Sequence, residues 1–179
     1  MSSGSVNDAP IKSGPVSRLG LLAYAVAAVT VALDQLSKAW VLGSLRLDDL
    51  GSIQVLPFFR LTLVENRGVS FGLLRADSAF GRWALVAVAA AVVAWLIWWV
   101  RKADRPLFAA AVGLVIGGAL GNNLIDRARI GRVVDFLDFS GLYFPWVFNV
   151  ADSAITVGVA LLLLDNVLAA RRERSARDL

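Results

Sequence analysis

The sequence predicts an α-helical membrane protein: four transmembrane helices with a small β-sheet in the first outer loop. Three observations predict it. Of 179 residues, 58% are hydrophobic and the mean hydropathy is +0.67, too apolar for an ordinary soluble domain. Four apolar stretches each approach or exceed the roughly 20 residues needed to cross hydrocarbon. Lys and Arg gather where the inner ends of such stretches would lie.

Residues 1–17 are polar and aperiodic, and read as a disordered cytoplasmic tail. The first span runs from about Leu19 to Leu42. It is too long for the apolar core of a signal peptide and lacks a small-residue cleavage site, so it reads as a retained helix. The first outer loop, 43–80, carries strand composition in Gln54-Val55-Leu56 and Phe59 to Val64, with Pro57 breaking between them. Asn66-Arg67-Gly68 marks a turn, and Gly68 and Gly72 are hinge candidates.

The second span, about Gly81 to Val100, carries Trp83, Trp95, Trp98 and Trp99, which suit the membrane interfaces. A charged turn from Arg101 to Arg105 follows, and Pro106 suits a helix start. The third span runs from about Leu107 to Ile125. Its Gly113, Gly117 and Gly121 are spaced small-xxx-small, for close helix contact. The fourth span, about Val147 to Ala169, is stopped by Arg171, Arg172 and Arg174, the start of a basic tail over 171–179. Residues 18–170 thus form one domain, with both termini inside by the positive charge near the span ends.

The chain has no Cys and no His. That removes disulfides, thiol nucleophiles, Ser-His-Asp catalysis and the commonest transition-metal ligand. Hydrolytic chemistry would have to use carboxylates, hydroxyls, Lys or an oxygen-bound metal. The net charge of +4 and pI near 10.1 suit cytoplasmic flanks facing anionic lipid. No basic surface interleaved with aromatics stands apart from the spans, so no nucleic-acid partner is expected.

Asp135 and Asp152 lie at the edges of very apolar segments, where ionisable groups are costly and default to function. Apolar neighbours and a second carboxylate would each raise the pKa of Asp135. Asp34 and Lys38, at i and i+4, share one helix face. They form either an interfacial pair with Lys38 snorkelling to headgroups or a pair that orders the outer loop or a substrate headgroup near the site. Asn123 and Asp126 are spaced i, i+3, and the simpler reading pairs Asp126 with Arg127 or Arg129. Asn149 can cap the fourth helix, with Ala151 small for clearance and Asp152 aimed from the first turn. Asp135, Asp138 and Asp152 could offer oxygen to a hard cation, but no loop has an ordered ligand spacing. Neither metal nor cofactor is expected.

Five blocks together resemble the bacterial lipoprotein signal peptidases, or type II signal peptidases. They are Asp34-Gln35-Leu36-Ser37-Lys38, Glu65 to Gly72, Gly117 to Arg127, Val133 to Phe136 and Phe148 to Ile155. The resemblance implies an aspartic endopeptidase of the bacterial inner membrane, with its β loop and active site near the periplasmic face. It implies a diacylglyceryl-modified prolipoprotein substrate, cleavage before the lipidated cysteine, and inhibition by globomycin. It places the catalytic dyad on Asp135 and Asp152. Supporting roles fall on Asp34, Lys38, Asn66, Gly68, Asn123, Asp126, Arg127, Asn149 and Ala151. In one place the chain departs from the family pattern: Asn122 and Asn123 stand where a single Asn is usual. The i, i+3 relation to Asp126 aligns Asn123 with it, while adjacent helical residues point about 100° apart, so either Asn122 or Asn123 faces the site. A monomer in contact with membrane lipid is expected.

The competing reading is a proton-coupled carrier or assembly subunit using buried Asp residues. Such proteins show internal repeats or acids spread along a pathway. Here the acids cluster and no repeat is apparent.

Overall fold

The computed structural model describes residues 16–68 and 79–177. Four helices are long and apolar enough to cross a membrane: Arg18–Ser44, Ala79–Val100, Pro106–Ile130 and Val150–Arg172. They are called the first to fourth helix below. The last runs on without a break through its basic residues to Arg177, so the basic segment extends the helix. Large apolar side chains such as Leu33, Leu36, Trp98 and Leu163 face outward along these helices. That pattern suits a lipid solvent.

The third helix is the centre of the bundle. A methyl group on Gly113 would lie 2.5 Å from the carbonyl oxygen of Ala23, and one on Gly117 would lie 2.6 Å from Cβ of Thr30. On the opposite side, a methyl on Gly118 would lie 2.5 Å from the carbonyl oxygen of Ala151. The small-residue spacing therefore seats the first and fourth helices directly on the third backbone. Val93, Leu96, Val100, Phe108, Val112 and Ile116 fill the space toward one end.

That end is tied together by polar contacts. Ser17 Oγ caps the first helix by accepting from Gly20 N at 2.9 Å, and it donates to the carbonyl of Ala103 at 2.9 Å. Pro106 occupies the first turn of the third helix, as its fixed φ favours. The start of the first helix and the basic 101–105 turn thus share one end of the bundle.

The other end carries a four-stranded antiparallel sheet in the order β1 (Ser52–Leu56), β2 (Phe59–Asn66), β3 (Val133–Asp138) and β4 (Val147–Phe148). The segment between the first and second helices supplies only half of it. Val147 and Phe148, expected to open the fourth helix, instead pair with Asp138 and Leu137. The sheet covers a second apolar cluster of Val41, Leu47, Leu61, Val134 and Phe136.

The third helix also outruns its expected end at Ile125. It passes through a π-helical segment, Leu120–Arg127, and stops at Gly131, whose φ of 77° closes the helix in the left-handed region. The strand carrying Asp135 begins two residues later.

Candidate active site

Asp135 sits in the middle of β3, opposite Val64 of β2, and is 3% exposed. Its carboxylate accepts from Asn66 Nδ2 at 3.2 Å and from Asn149 Nδ2 at 2.6 Å. Burial pushes its pKa up, and the neighbouring Asp152 charge pushes the same way. The two asparagine donors and Lys38 oppose them, leaving the group at about 7.

Asp152 lies in the first turn of the fourth helix and locks onto Asn149 reciprocally. Its backbone N–H donates to Asn149 Oδ1 at 2.8 Å, and its Oδ2 accepts from Asn149 N at 3.1 Å. This is the logic of a capping box, with an Asn-x-x-Asp sequence. Asn149 is fully buried and touches both acids, one through its side-chain amide and one through its cap. A single residue therefore fixes how the strand carboxylate meets the helix carboxylate.

Behind the pair lies a buried ionic cluster. Lys38 Nζ lies 2.8 Å from Asp34 Oδ2 and 2.6 Å from Asp126 Oδ2. It also donates to Asn122 Oδ1 at 2.8 Å. Gln35 bridges the two carboxylates, at 3.0 Å from Asp34 and 2.9 Å from Asp126. The other oxygen of Asp34 accepts from Ala151 N at 3.0 Å, pinning the turn that carries Asp152. Ala151 is fully buried, and its carbonyl lies against Gly118.

Three sequence expectations need correction. Lys38 does not snorkel; it is 4% exposed and paired inside the bundle. Asp126 takes Lys38 as its cation, where Arg127 or Arg129 was expected. Asn122, not Asn123, faces the aspartates, donating from Nδ2 to Asp152 Oδ1 at 2.8 Å. The expectation assumed α-helical spacing, and the π-helical segment breaks that assumption.

Asn123 instead accepts from Arg127 Nε at 3.3 Å. Arg127 is 6% exposed, and its Nη1 is buried with no hydrogen-bond partner among the described residues. Gly68 N donates to Asn66 Oδ1 at 3.1 Å and so orients the amide facing Asp135. Gly72, with residues 69–71 of its block, lies outside the described residues.

Two contributors carried no assigned role in the sequence. Gln35 adjoins Asp34, which was a signal available to be read. Arg82 donates from Nε to the carbonyl of Arg127 at 2.9 Å and from Nη2 to that of Ala128 at 2.5 Å. It adds side-chain donors to carbonyls at the helix end, where that of Arg127 also accepts from Gly131 N at 3.1 Å, a use that spacing along the chain does not reveal. Beside Asp152, a cavity of about 360 Å³ is lined by Phe144, Trp146, Phe148, Ser153, Thr156 and Val157.

Four membrane-length helices, with a strand carboxylate and a helix carboxylate joined through one asparagine at one end, make this a membrane protein with a paired-acid site. Residues 26–168 match the family model described as signal peptidase (SPase) II. The lipoprotein signal peptidase of Caulobacter vibrioides is 58% identical over 160 residues, covering 89% of this chain and 95% of that protein. The one from Methylorubrum extorquens is 45% identical, covering 88% and 91%. A solved bacterial membrane enzyme superposes with a TM-score of 0.72 at 27% identity, covering 87% of this chain and 93% of its own. The chain belongs to the signal peptidase II family.

Proposed function

We propose that Asp135 and Asp152 are the dyad with which this aspartic peptidase removes signal peptides from prolipoproteins, cutting before the diacylglyceryl-modified cysteine. The observation that carries the reading is the pair of bonds from Asn149, one to each acid. The carrier alternative is not favoured, since the family is one of peptidases.

The chemistry is general acid–base hydrolysis. A water held between the carboxyls loses a proton to one acid, while the other protonates the scissile carbonyl oxygen. The tetrahedral intermediate then collapses with proton return to the leaving amine. A dyad that shares one proton near neutral pH can do both jobs. Asp135, with its pKa at about 7, carries that proton. The base role then falls to Asp152. Arg127 Nη1, buried and unpaired among the described residues, is a donor available to charge developing on the substrate.

The cavity beside Asp152 is apolar, with the exposed Phe144 and Trp146 in its wall. Such a wall suits a substrate arriving sideways from lipid, with the aromatic loop at headgroup level. We place the sheet end at the periplasmic face of the inner membrane and both termini in the cytoplasm. The cluster of Arg18, Arg101, Lys102 and Arg105 at the opposite end supports that orientation.

The test uses purified protein in lipid and a diacylglyceryl-modified precursor peptide. Asp135→Asn and Asp152→Asn should each reduce cleavage by about 10³-fold or more while the protein still inserts. Wild-type turnover in either variant would remove that residue from the dyad.

A further inference from the structure

We infer that the two consecutive asparagines divide two tasks through the π-helical turn: Asn122 positions Asp152, and Asn123 holds Arg127. The inference rests on the reading of Asp135 and Asp152 as the dyad.

The third helix is α-helical over Pro106–Ala119, π-helical over Leu120–Arg127 and α-helical again over Ala128–Ile130. A π-helix closes each hydrogen-bonded ring with one residue more than an α-helix. The segment therefore holds extra chain between two fixed frames. Before it, Gly113 and Gly117 are locked against the first helix. Past its middle, Asp126 is held by Lys38 and Gln35, and Arg82 holds the carbonyls of Arg127 and Ala128. Neither frame can slide, so the wide turn between them absorbs the surplus.

The surplus sends neighbouring side chains to separate partners. Asn122 is 6% exposed. Its Oδ1 accepts from Lys38 Nζ at 2.8 Å and from Asn149 Nδ2 at 3.0 Å. An ammonium has only donors, so it dictates which end of the amide faces it. The Nδ2 group is thereby turned to Asp152 Oδ1 at 2.8 Å. The charge on Lys38 thus reaches the dyad as a fixed amide orientation. Asn123 is turned away from this cluster. Its Nδ2 reaches the carbonyl of Ala119 at 3.4 Å, and its Oδ1 accepts from Arg127 Nε at 3.3 Å.

This arrangement separates substitution from deletion. Asn122→Ala leaves the π-helical turn with no amide at Asp152. Deleting one of the two asparagines removes the surplus residue, restores an α-helical turn and brings the remaining asparagine to the dyad. The deletion should therefore be milder than the substitution, the reverse of the usual order inside a helix.

The experiment measures kcat and KM on the lipidated precursor peptide for full-length protein in lipid, with thermal unfolding as the folding control. Loss of the bond to Asp152, together with those from Lys38 and Asn149, predicts that Asn122→Ala lowers kcat on the order of 10–100-fold with KM little changed. Asn123→Ala should cost less than about 10-fold, acting only through Arg127. The single-asparagine deletion should fold, exceed Asn122→Ala in kcat and stay within about 10-fold of wild type. A deletion that does not fold, or is no more active than Asn122→Ala, overturns the inference. So does an Asn123→Ala variant as damaged as Asn122→Ala. Asp135→Asn is measured alongside: if it retains activity, the dyad reading itself fails; if it is inactive, the asparagine results stand alone.

Discussion

Two ionic groups, one buried and one half-buried, occupy opposite ends of the same bundle, and they differ in what their partners reach. At the sheet end, Lys38 is surrounded by Asp34, Asp126 and Asn122, and its partners reach Ala151 N and Asp152. At the other end, Arg105 approaches Asp165 Oδ2 to 2.7 Å without the alignment of a hydrogen bond, and also lies over the ring of Phe108. Asp152 and Asp165 share one helix, thirteen residues and so about 20 Å apart. The contrast teaches that a buried pair is not functional by virtue of burial. What matters is whether its remaining donors and acceptors are spent on groups that do chemistry.

The sharpest way to break that contrast is Lys38→Met. The change leaves Asp34 and Asp126 facing one another with no cation. Removing one partner of a buried pair costs about 3–5 kcal/mol. The Asn122 amide also loses the group that orients it, so activity should fall on the order of 100-fold in protein that remains folded. Unfolding temperature and turnover of the lipidated precursor report the two effects separately. A Lys38→Met protein that is destabilised yet fully active would make this cluster no different from the one at the far end.

A pH series sharpens the comparison from the catalytic side. In the proposed dyad Asp135 carries a proton as the acid, and its pKa is raised to about 7. Activity should therefore fall toward tenfold per pH unit above that value. The stability sign follows from the same shift. A carboxyl whose folded pKa is raised contributes stability below its unfolded value, about 4, that is lost as pH climbs through about 7. Wild type should lose stability relative to Asp135→Asn over that interval. Unfolding curves of the two proteins that keep a constant separation between pH 4 and 8 would contradict the assignment.

The same contrast explains what could be read in the chain. Helix count, the glycine seam and the capping role of Asn149 follow from local rules of length, size and spacing. The second half of the sheet does not. Val133–Asp138 is buried nearly throughout, so it lacks the clean alternation that marks a half-exposed strand. Phe148 reads as the start of an apolar helix because a two-residue strand is too short to leave a pattern. The choice of Asn122 over Asn123 was hidden for a different reason. It depends on a π-helical turn, and spacing arguments assume 3.6 residues per turn throughout. Arg82 was hidden because its partners are backbone carbonyls of another helix. The acids themselves were visible, since a carboxylate within apolar sequence needs a reason.

The smallest expected effect is Asp165→Asn, and it tests the quiet half of the comparison. Asp165 is 5% exposed, but its partner Arg105 has a side chain 33% exposed and so keeps part of its hydration. Losing the charge should therefore cost about 1 kcal/mol or less, because a screened partner gives back little Coulomb energy. An asparagine can still accept from the guanidinium, which trims the cost further. Among the described residues, no hydrogen bond or ion pair links this pair to Asn149, Asn122 or Ala151. Sites that share no partners act independently, so turnover should stay within about two-fold of wild type. A loss of activity approaching that of Lys38→Met would mean that the two ends of the fourth helix are coupled. The division between an ionic group that holds the fold and one that holds the dyad would then have to be redrawn.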